Sequence, residues 1–305
     1  MSDCKRLLDY MENNQMVGIF GVDYLDKKLR GILKNDLIVI GARSGAGKST
    51  LSNIIATANA KKGTKVALFS LENFPDDNFV EKAFYHYRYL VQDYTLSLRD
   101  FASGNFDKDF DSLAKSQEYA EKCFENIKMI NRQTNFDIEE IKKQIILCSQ
   151  EGYKLIILDH LDYVDKFAND TDYTHMNSLM KTIREAQDAF NVAVVAISHL
   201  RKNQSMKEPP VIPSMDEFIG SSNKVKEATC VVMFAPDDKS NFDMVKNEGN
   251  DNIKSTWCCV RKLRMGGIDN KAARLFFDTK TGTYLDSYRL FTVNYNGTRV
   301  EEIGV

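Results

Sequence analysis

The stretch IVIGARSGAGKSTLSNIIATA (residues 38–58) decides the fold. It opens on β-branched residues, crosses a turn of small residues and continues as an amphipathic helix. Such an apolar run just before the turn reads as a buried strand. From Ala42 through Arg43, Ser44, Gly45, Ala46, Gly47 and Lys48 to Ser49, the turn keeps P-loop spacing, with Ala42 at the usual first glycine. Small residues let backbone N–H groups point inward and cradle phosphate oxygens at a helix N-terminus. In this reading Ser44, Gly45, Ala46, Gly47 and Thr50 surround the phosphates, Lys48 reaches the β- and γ-phosphates, and Ser49 holds Mg²⁺. A site for ATP, or another nucleoside triphosphate, with Mg²⁺ is the expectation.

Such a site needs a carboxylate at the end of a second strand to hold the metal's water shell. LIILDH supplies Asp159. Hydrolysis also needs a base to orient water, and Glu72 in LFSLEN ends the strand that follows the P-loop helix. His199 closes the apolar strand VAVVAISHL, where a polar residue can contact the γ-phosphate. The loop after it, RKNQSMK, offers Arg201, Lys202 and Lys207 as a small basic patch suited to a phosphate backbone. Late in the chain, VRKLRMGG places Lys262 and Arg264 two apart, on one face of a strand. Two such cations can neutralise a γ-phosphate bound by a neighbouring subunit.

Composition narrows the class. Of 305 residues 43% are apolar and 28% charged, ordinary for a globular protein, and the net charge is −2. A nucleic-acid site must therefore be a local patch or be pooled from several subunits. No apolar run approaches 18 residues, which predicts no membrane span, and the N-terminus has no signal-peptide core. The six cysteines form no C-x-x-C pair and the four histidines are widely scattered, so neither a disulfide framework nor structural zinc is expected. The expected compartment is the cytoplasm.

Along the chain, residues 1–14 read as a short amphipathic helix with Leu7, Leu8 and Met11 on one side, packing on its own domain or on a neighbour. Strands at 65–72, 127–131, 154–164 and 192–200 alternate with helices at 48–61, 136–151 and 173–190, and 74–116 is helical with a break at ASGNFD. Residues 201–216 form a polar loop, and the tail from ATCVVMFAP onward reads as strands joined by turns. The pattern predicts an α/β fold: a mostly parallel central sheet flanked by helices, with antiparallel strands at the C-terminal end. We expect a short N-terminal helix at 1–17, a candidate subunit-packing element, and one motor domain at 18–305.

Taken in order, these motifs resemble the RecA-type motor domain of hexameric replicative helicases, the DnaB family and its bacteriophage relatives, across residues 18–286. GARSGAGKST resembles the family's RecA-like P-loop, VALFSLEN its catalytic-glutamate segment and LIILDHLDYV its Walker B strand. VVAISHLRK is similar to the nucleotide-sensing strand of the phage branch. IGSSNKVKEATCVVMF resembles the DNA-proximal motif, putting Lys224 and Lys226 near DNA, and VRKLRMGG the strand donating a lysine and an arginine finger to the next subunit. The resemblance implies an ATP-dependent DNA helicase acting on single-stranded DNA in replication, 5′ to 3′, as a ring with ATP between subunits. Primase, a loader or other replication proteins are the partners it implies. The chain departs from the family in having room for only a short N-terminal helix. Two alternatives stay open: a RecA-like recombination ATPase, which forms filaments, and a regulatory ATP-binding partner that does no unwinding.

Overall fold

The P-loop strand lies in the middle of the sheet. The computed structural model describes residues 4–74, 76–132, 136–167, 169–200, 210–218, 222–237, 252–267, 269–294, 297–298 and 300–303. The chain runs α1 (Lys5–Asn13), β1 (Met16–Gly18), α2 (Asp23–Leu29), β2 (Ile32–Leu33), β3 (Leu37–Ala42), α3 (Lys48–Ala60) and β4 (Val66–Ser70). Then come α4 (Asp77–Val91), α5 (Leu98–Ser103), α6 (Phe110–Phe124), β5 (Ile127–Asn131), α7 (Ile138–Gln150), β6 (Leu155–Asp159), α8 (Asp172–Phe190) and β7 (Ala193–His199). The remainder is α9 (Ser222–Glu227), β8 (Cys230–Pro236), β9 (Ile253–Leu263), β10 (Lys271–Asp278), β11 (Thr283–Val293) and β12 (Val300–Glu302).

One ten-stranded sheet has the order β12-β11-β10-β9-β8-β3-β7-β6-β4-β5. From β8 to β5 neighbouring strands pair parallel, and from β8 outward through β12 they pair antiparallel. A parallel strand is covered on both faces, which is why β3 is apolar at successive positions. Alternate side chains still part company: Ile38, Ile40 and Ala42 pack in a core with Leu51, Ile54 and Ile55 of α3, while Leu37 and Val39 join Ile145 and Ile183 beneath α7 and α8.

The sequence reading carries the third long strand to residue 164, but β6 ends at Asp159 and a 3₁₀ turn, Leu161–Tyr163, follows. The apolar run continues because Leu161 and Val164 fill the core beyond the sheet edge. The helical stretch after Phe74 runs on to Phe124 and breaks twice, at Gln92 with φ 56° and at Gly104 with φ 70°.

Buried Asn59 ties the lead-in segment to α3: its side chain accepts from Ile19 N (2.8 Å) and donates to Ile19 O (2.7 Å) and Ile55 O (2.7 Å). Asn59→Ala leaves both Ile19 groups without these partners, so chemical denaturation should show a loss of about 1–3 kcal/mol. An unchanged midpoint would mean the lead-in segment is held elsewhere.

Candidate active site

The parallel strands β3, β4, β6 and β7, which carry or lead into Lys48, Glu72, Asp159 and His199, end at the same sheet edge. Ala42 of β3 pairs with His199 of β7, and Ser70 of β4 pairs with Asp159 of β6. Between β3 and α3 the turn is shaped by Gly45 (φ 82°) and Gly47 (φ 78°), left-handed conformations that side-chain-bearing residues rarely adopt. A Cβ at either would meet nothing within 4 Å, so backbone conformation, not crowding, calls for glycine here. Ser44, Gly45 and Gly47 are exposed, Ala46 is buried, and Lys48 and Ser49 stand half-buried at the start of α3. The Thr50 hydroxyl donates to Glu81 Oε1 on α4 at 3.1 Å, which ties it to that helix.

Arg43 anchors the turn from behind. Its guanidinium forks onto buried Glu217 (Nε–Oε2 3.0 Å, Nη2–Oε1 2.9 Å) and donates to Pro210 O at 2.7 Å. In the sequence this residue is merely a P-loop spacer, with no signal linking it to Glu217.

Asp159 is buried and accepts from Ser52 Oγ at 2.7 Å through Oδ2, while Oδ1 has no hydrogen-bond partner. Burial pushes its carboxyl above the usual range, against opposing contributions from Ser52, His160 and Ser49. An orphaned oxygen on a buried carboxylate beside Ser49 is a fit for a hydrated cation. Glu72 lies just past β4 with Oε2 3.3 Å from His160 Nε2. The His160 and His199 rings meet edge to face, centroids 4.3 Å apart. Burial, then His160 and Lys48, hold the His199 imidazole below its ordinary pKa.

Behind these groups lies a network centred on Asp162. Its Oδ2 accepts His199 N at 2.8 Å and sits 3.3 Å from His160 Nδ1; its Oδ1 accepts Lys224 Nζ at 2.9 Å. Lys224 also donates to Ser198 Oγ at 2.6 Å. Burial alone would raise the Asp162 carboxyl, but His160, Lys224 and the His199 amide outweigh it and hold it well below the usual carboxylate range.

The profile of the DnaB-like helicase C terminal domain matches residues 19–286. The chain belongs to that family. It is 23% identical over 273 residues to a probable replicative DNA helicase of Trieres chinensis, covering 86% of this chain and 55% of that protein. It is 24% identical over 281 residues to the replicative DNA helicase DnaB of Mycoplasma genitalium, covering 87% and 55%. The chain thus spans about half the length of the curated relatives it matches. Among solved structures, a DnaB-like replicative helicase described with its interactions with primase superposes with TM-score 0.72 at 16% identity, covering 92% of this chain and 67% of that one. A second solved structure, described as an ATPase domain, gives TM-score 0.70 at 15% identity, covering 93% and 96%. Both share the RecA-like fold read from the P-loop.

In this DnaB-like domain the expected cations separate. Lys224, placed by the sequence reading near DNA, is wholly buried in the Asp162 network and has no surface to offer a phosphate in this structure. Lys226 is exposed. Arg201, Lys202 and Lys207 lie outside the described residues. Lys262 donates to the carbonyls of Val225 (2.5 Å) and Lys226 (3.1 Å), closing the end of α9; burial, then Arg264, lowers its pKa. Arg264 is exposed just past β9. Leu263 pairs with Cys230, the first residue of β8, so both cations sit at the edge where the parallel strands begin. Lys48 lies at the opposite edge, one strand length away, on the order of 15 Å. The sequence reading passed over His160 and Asp162; the histidines it took as scattered meet because β6 and β7 are neighbours.

Removing one partner of a buried ion pair strands the other charge. Lys224→Met should therefore destabilise the fold by about 3–5 kcal/mol in urea denaturation. Lys224→Met combined with Asp162→Asn should recover much of that loss, giving a coupling well away from additivity. Additive losses would show that the two residues act independently.

Proposed function

We propose that this chain is the motor of an ATP-dependent replicative DNA helicase, working on single-stranded DNA as a ring with nucleotide between subunits. The observation that carries the reading is the convergence of the P-loop, the orphaned Asp159 oxygen, Glu72 and His199 at one sheet edge. Phosphate oxygens would lie against the N–H groups of residues 44–49, with the Lys48 ammonium on the β- and γ-phosphates. Ser49 and Asp159 would hold Mg²⁺ and its water shell, which supplies charge neutralisation at the transferred phosphoryl group. Glu72 would accept the proton of the attacking water, with His160 Nε2 3.3 Å from its carboxylate. His199, hydrogen-bonded through its amide to Asp162, senses the γ-phosphate from the end of β7.

Lys262 and Arg264 cannot serve their own P-loop from the far edge, which favours the neighbouring subunit's nucleotide as their target. Arg264 lines a cavity of about 720 Å³ that also takes in Lys28, Arg30, Lys34 and Arg184, the last paired with Asp188 at 3.1 Å, along with Asp36, leaving a surplus of positive charge for a phosphate chain. α1, within the 1–17 segment, touches the 18–305 domain through Tyr10, which donates to Met265 Sδ at 2.9 Å, while Leu7, Leu8 and Met11 are more than half exposed and would be free to pack on a neighbour. Translocation would move the 201–207 segment and Lys226 along the DNA backbone, 5′ to 3′ by the family resemblance. Primase, a loader and other replication proteins are the partners this role calls for, in the cytoplasm. Among the described residues no helix is long and apolar enough to cross a membrane.

The deciding experiment is ATPase rate with and without single-stranded DNA, alongside mass in solution. A six-subunit mass and strong stimulation are expected; a monomer indifferent to DNA would overturn the ring motor. Glu72→Gln should cut hydrolysis by about 10²–10⁴-fold while nucleotide binding persists. Arg264→Ala should lose about 10³-fold or more. Mixing it with an inactive Lys48→Ala chain should restore hydrolysis that neither shows alone, and failure to do so would remove the finger in trans.

A further inference from the structure

We propose that Glu72, His160 and His199 form a binding site for a divalent transition cation of the zinc class, separate from the nucleotide's Mg²⁺. One ligand atom from each lies within 4.8 Å of the others. His160 Nε2 and Glu72 Oε2 are 3.3 Å apart. Two donors on one tetrahedral zinc stand about 3.4 Å apart, given bonds of about 2.1 Å. This pair is therefore already spaced as neighbouring ligands.

The state of His160 points to a ligand. Its side chain is only 2% exposed, and each ring nitrogen faces a carboxylate oxygen at 3.3 Å without hydrogen-bond geometry to it. A buried polar group without a partner is costly, and a cation on Nε2 would satisfy this one. On the other side Nδ1 faces Asp162 Oδ2 at 3.3 Å, which places a carboxylate behind a metal-facing imidazole. Such outer carboxylates orient the ring and raise its basicity. Asp162 is itself pinned by Lys224 and the His199 amide, so His160 is the fixed member of the set. Glu72, 34% exposed, and half-buried His199, at the last position of β7, have room to close on an ion held there.

The donor chemistry selects the ion. Two imidazoles and one carboxylate suit Zn²⁺, Ni²⁺ or Cu²⁺, whereas Mg²⁺ prefers an all-oxygen octahedron. Three protein ligands leave a fourth position for water or a phosphate oxygen. Bound there, the cation would take the carboxylate that hydrolysis needs, making the site inhibitory. That consequence rests on Glu72 as the base; the binding itself does not.

The test uses the full nucleotide-free chain, with Co²⁺ as spectroscopic probe and Zn²⁺ titrated against a chromophoric chelator. One ion per chain is expected, with four-coordinate Co²⁺ bands and no thiolate charge-transfer band. His199→Ala and Glu72→Gln should each weaken Zn²⁺ binding roughly tenfold or more, the scale on which even outer-shell changes act. His86→Ala, His175→Ala and Cys4→Ser should bind as the parent does. Unchanged affinity in both ligand variants, a thiolate band, or loss of binding in Cys4→Ser would overturn the site. In parallel, Zn²⁺ should inhibit ATP hydrolysis reversibly by chelator and without relief from added Mg²⁺. Ligand-dependent Zn²⁺ binding by a chain that never hydrolyses ATP would overturn the hydrolysis reading alone. Hydrolysis with no Zn²⁺ binding would overturn this inference alone.

Discussion

Parallel pairing of β3 with β7, of β7 with β6 and of β6 with β4 is the constraint on which the rest depends. Parallel strands put all their carboxyl ends at one edge, and each returns through a crossover that covers a face of the sheet. Ala42, His199, Asp159 and Ser70 are thereby delivered to one line without any contact among their side chains having to arrange it. The apolar runs that read as buried strands are the same fact seen from the core. A strand buried on both faces has little reason to carry a polar residue until it reaches the edge, where the site begins.

Chemistry at that edge is set by charges that burial alone would not tolerate. His160, Lys224 and the His199 amide hold the Asp162 carboxyl well below the usual range, whereas burial raises that of Asp159 against the hydrogen bond from Ser52. The two carboxylates lie three residues apart in the chain and meet opposite environments. One is satisfied and acts as a fixed support; the other keeps an oxygen without a partner and is suited to hold something not supplied by the protein. Differences of this kind separate scaffold from site more clearly than residue type does.

The same contrast explains what was legible in the sequence. The P-loop was readable because it carries its own local geometry: a strand period, glycines at positive φ and a helix, all within consecutive residues. Asp159 and Glu72 were readable because they end apolar runs. Lys224 and Lys226 were indistinguishable, since nothing in SSNKVKEA tells which lysine turns inward; that depends on Asp162, far away in sequence. His160 was hidden for a related reason, because its importance comes from Glu72 and His199 on neighbouring strands. Arg43 passed as spacer for want of any sign of Glu217. The overextended strand at 154–164 failed differently: apolar residues continue past the sheet because core does, and hydrophobicity does not mark where pairing stops.

The two edges of the sheet are unequal, and the inequality argues for assembly. The edge where parallel strands end holds the P-loop turn, with Lys48 at its helix start. The edge where they begin gathers Arg264, Arg30, Lys34 and Arg184 with Asp36 and Asp188 around a cavity. The full length of the parallel strands separates them, so neither edge can reach the other within a chain. In the ring proposed above, head-to-tail contact between copies would bring them together; such a contact is heterologous, so it would repeat, closing into a ring or running on as a filament. On α1, Tyr10 donates to Met265 Sδ of its own domain while Leu7, Leu8 and Met11 stand more than half exposed, and in that proposal this free side would give the repeat a second point of attachment.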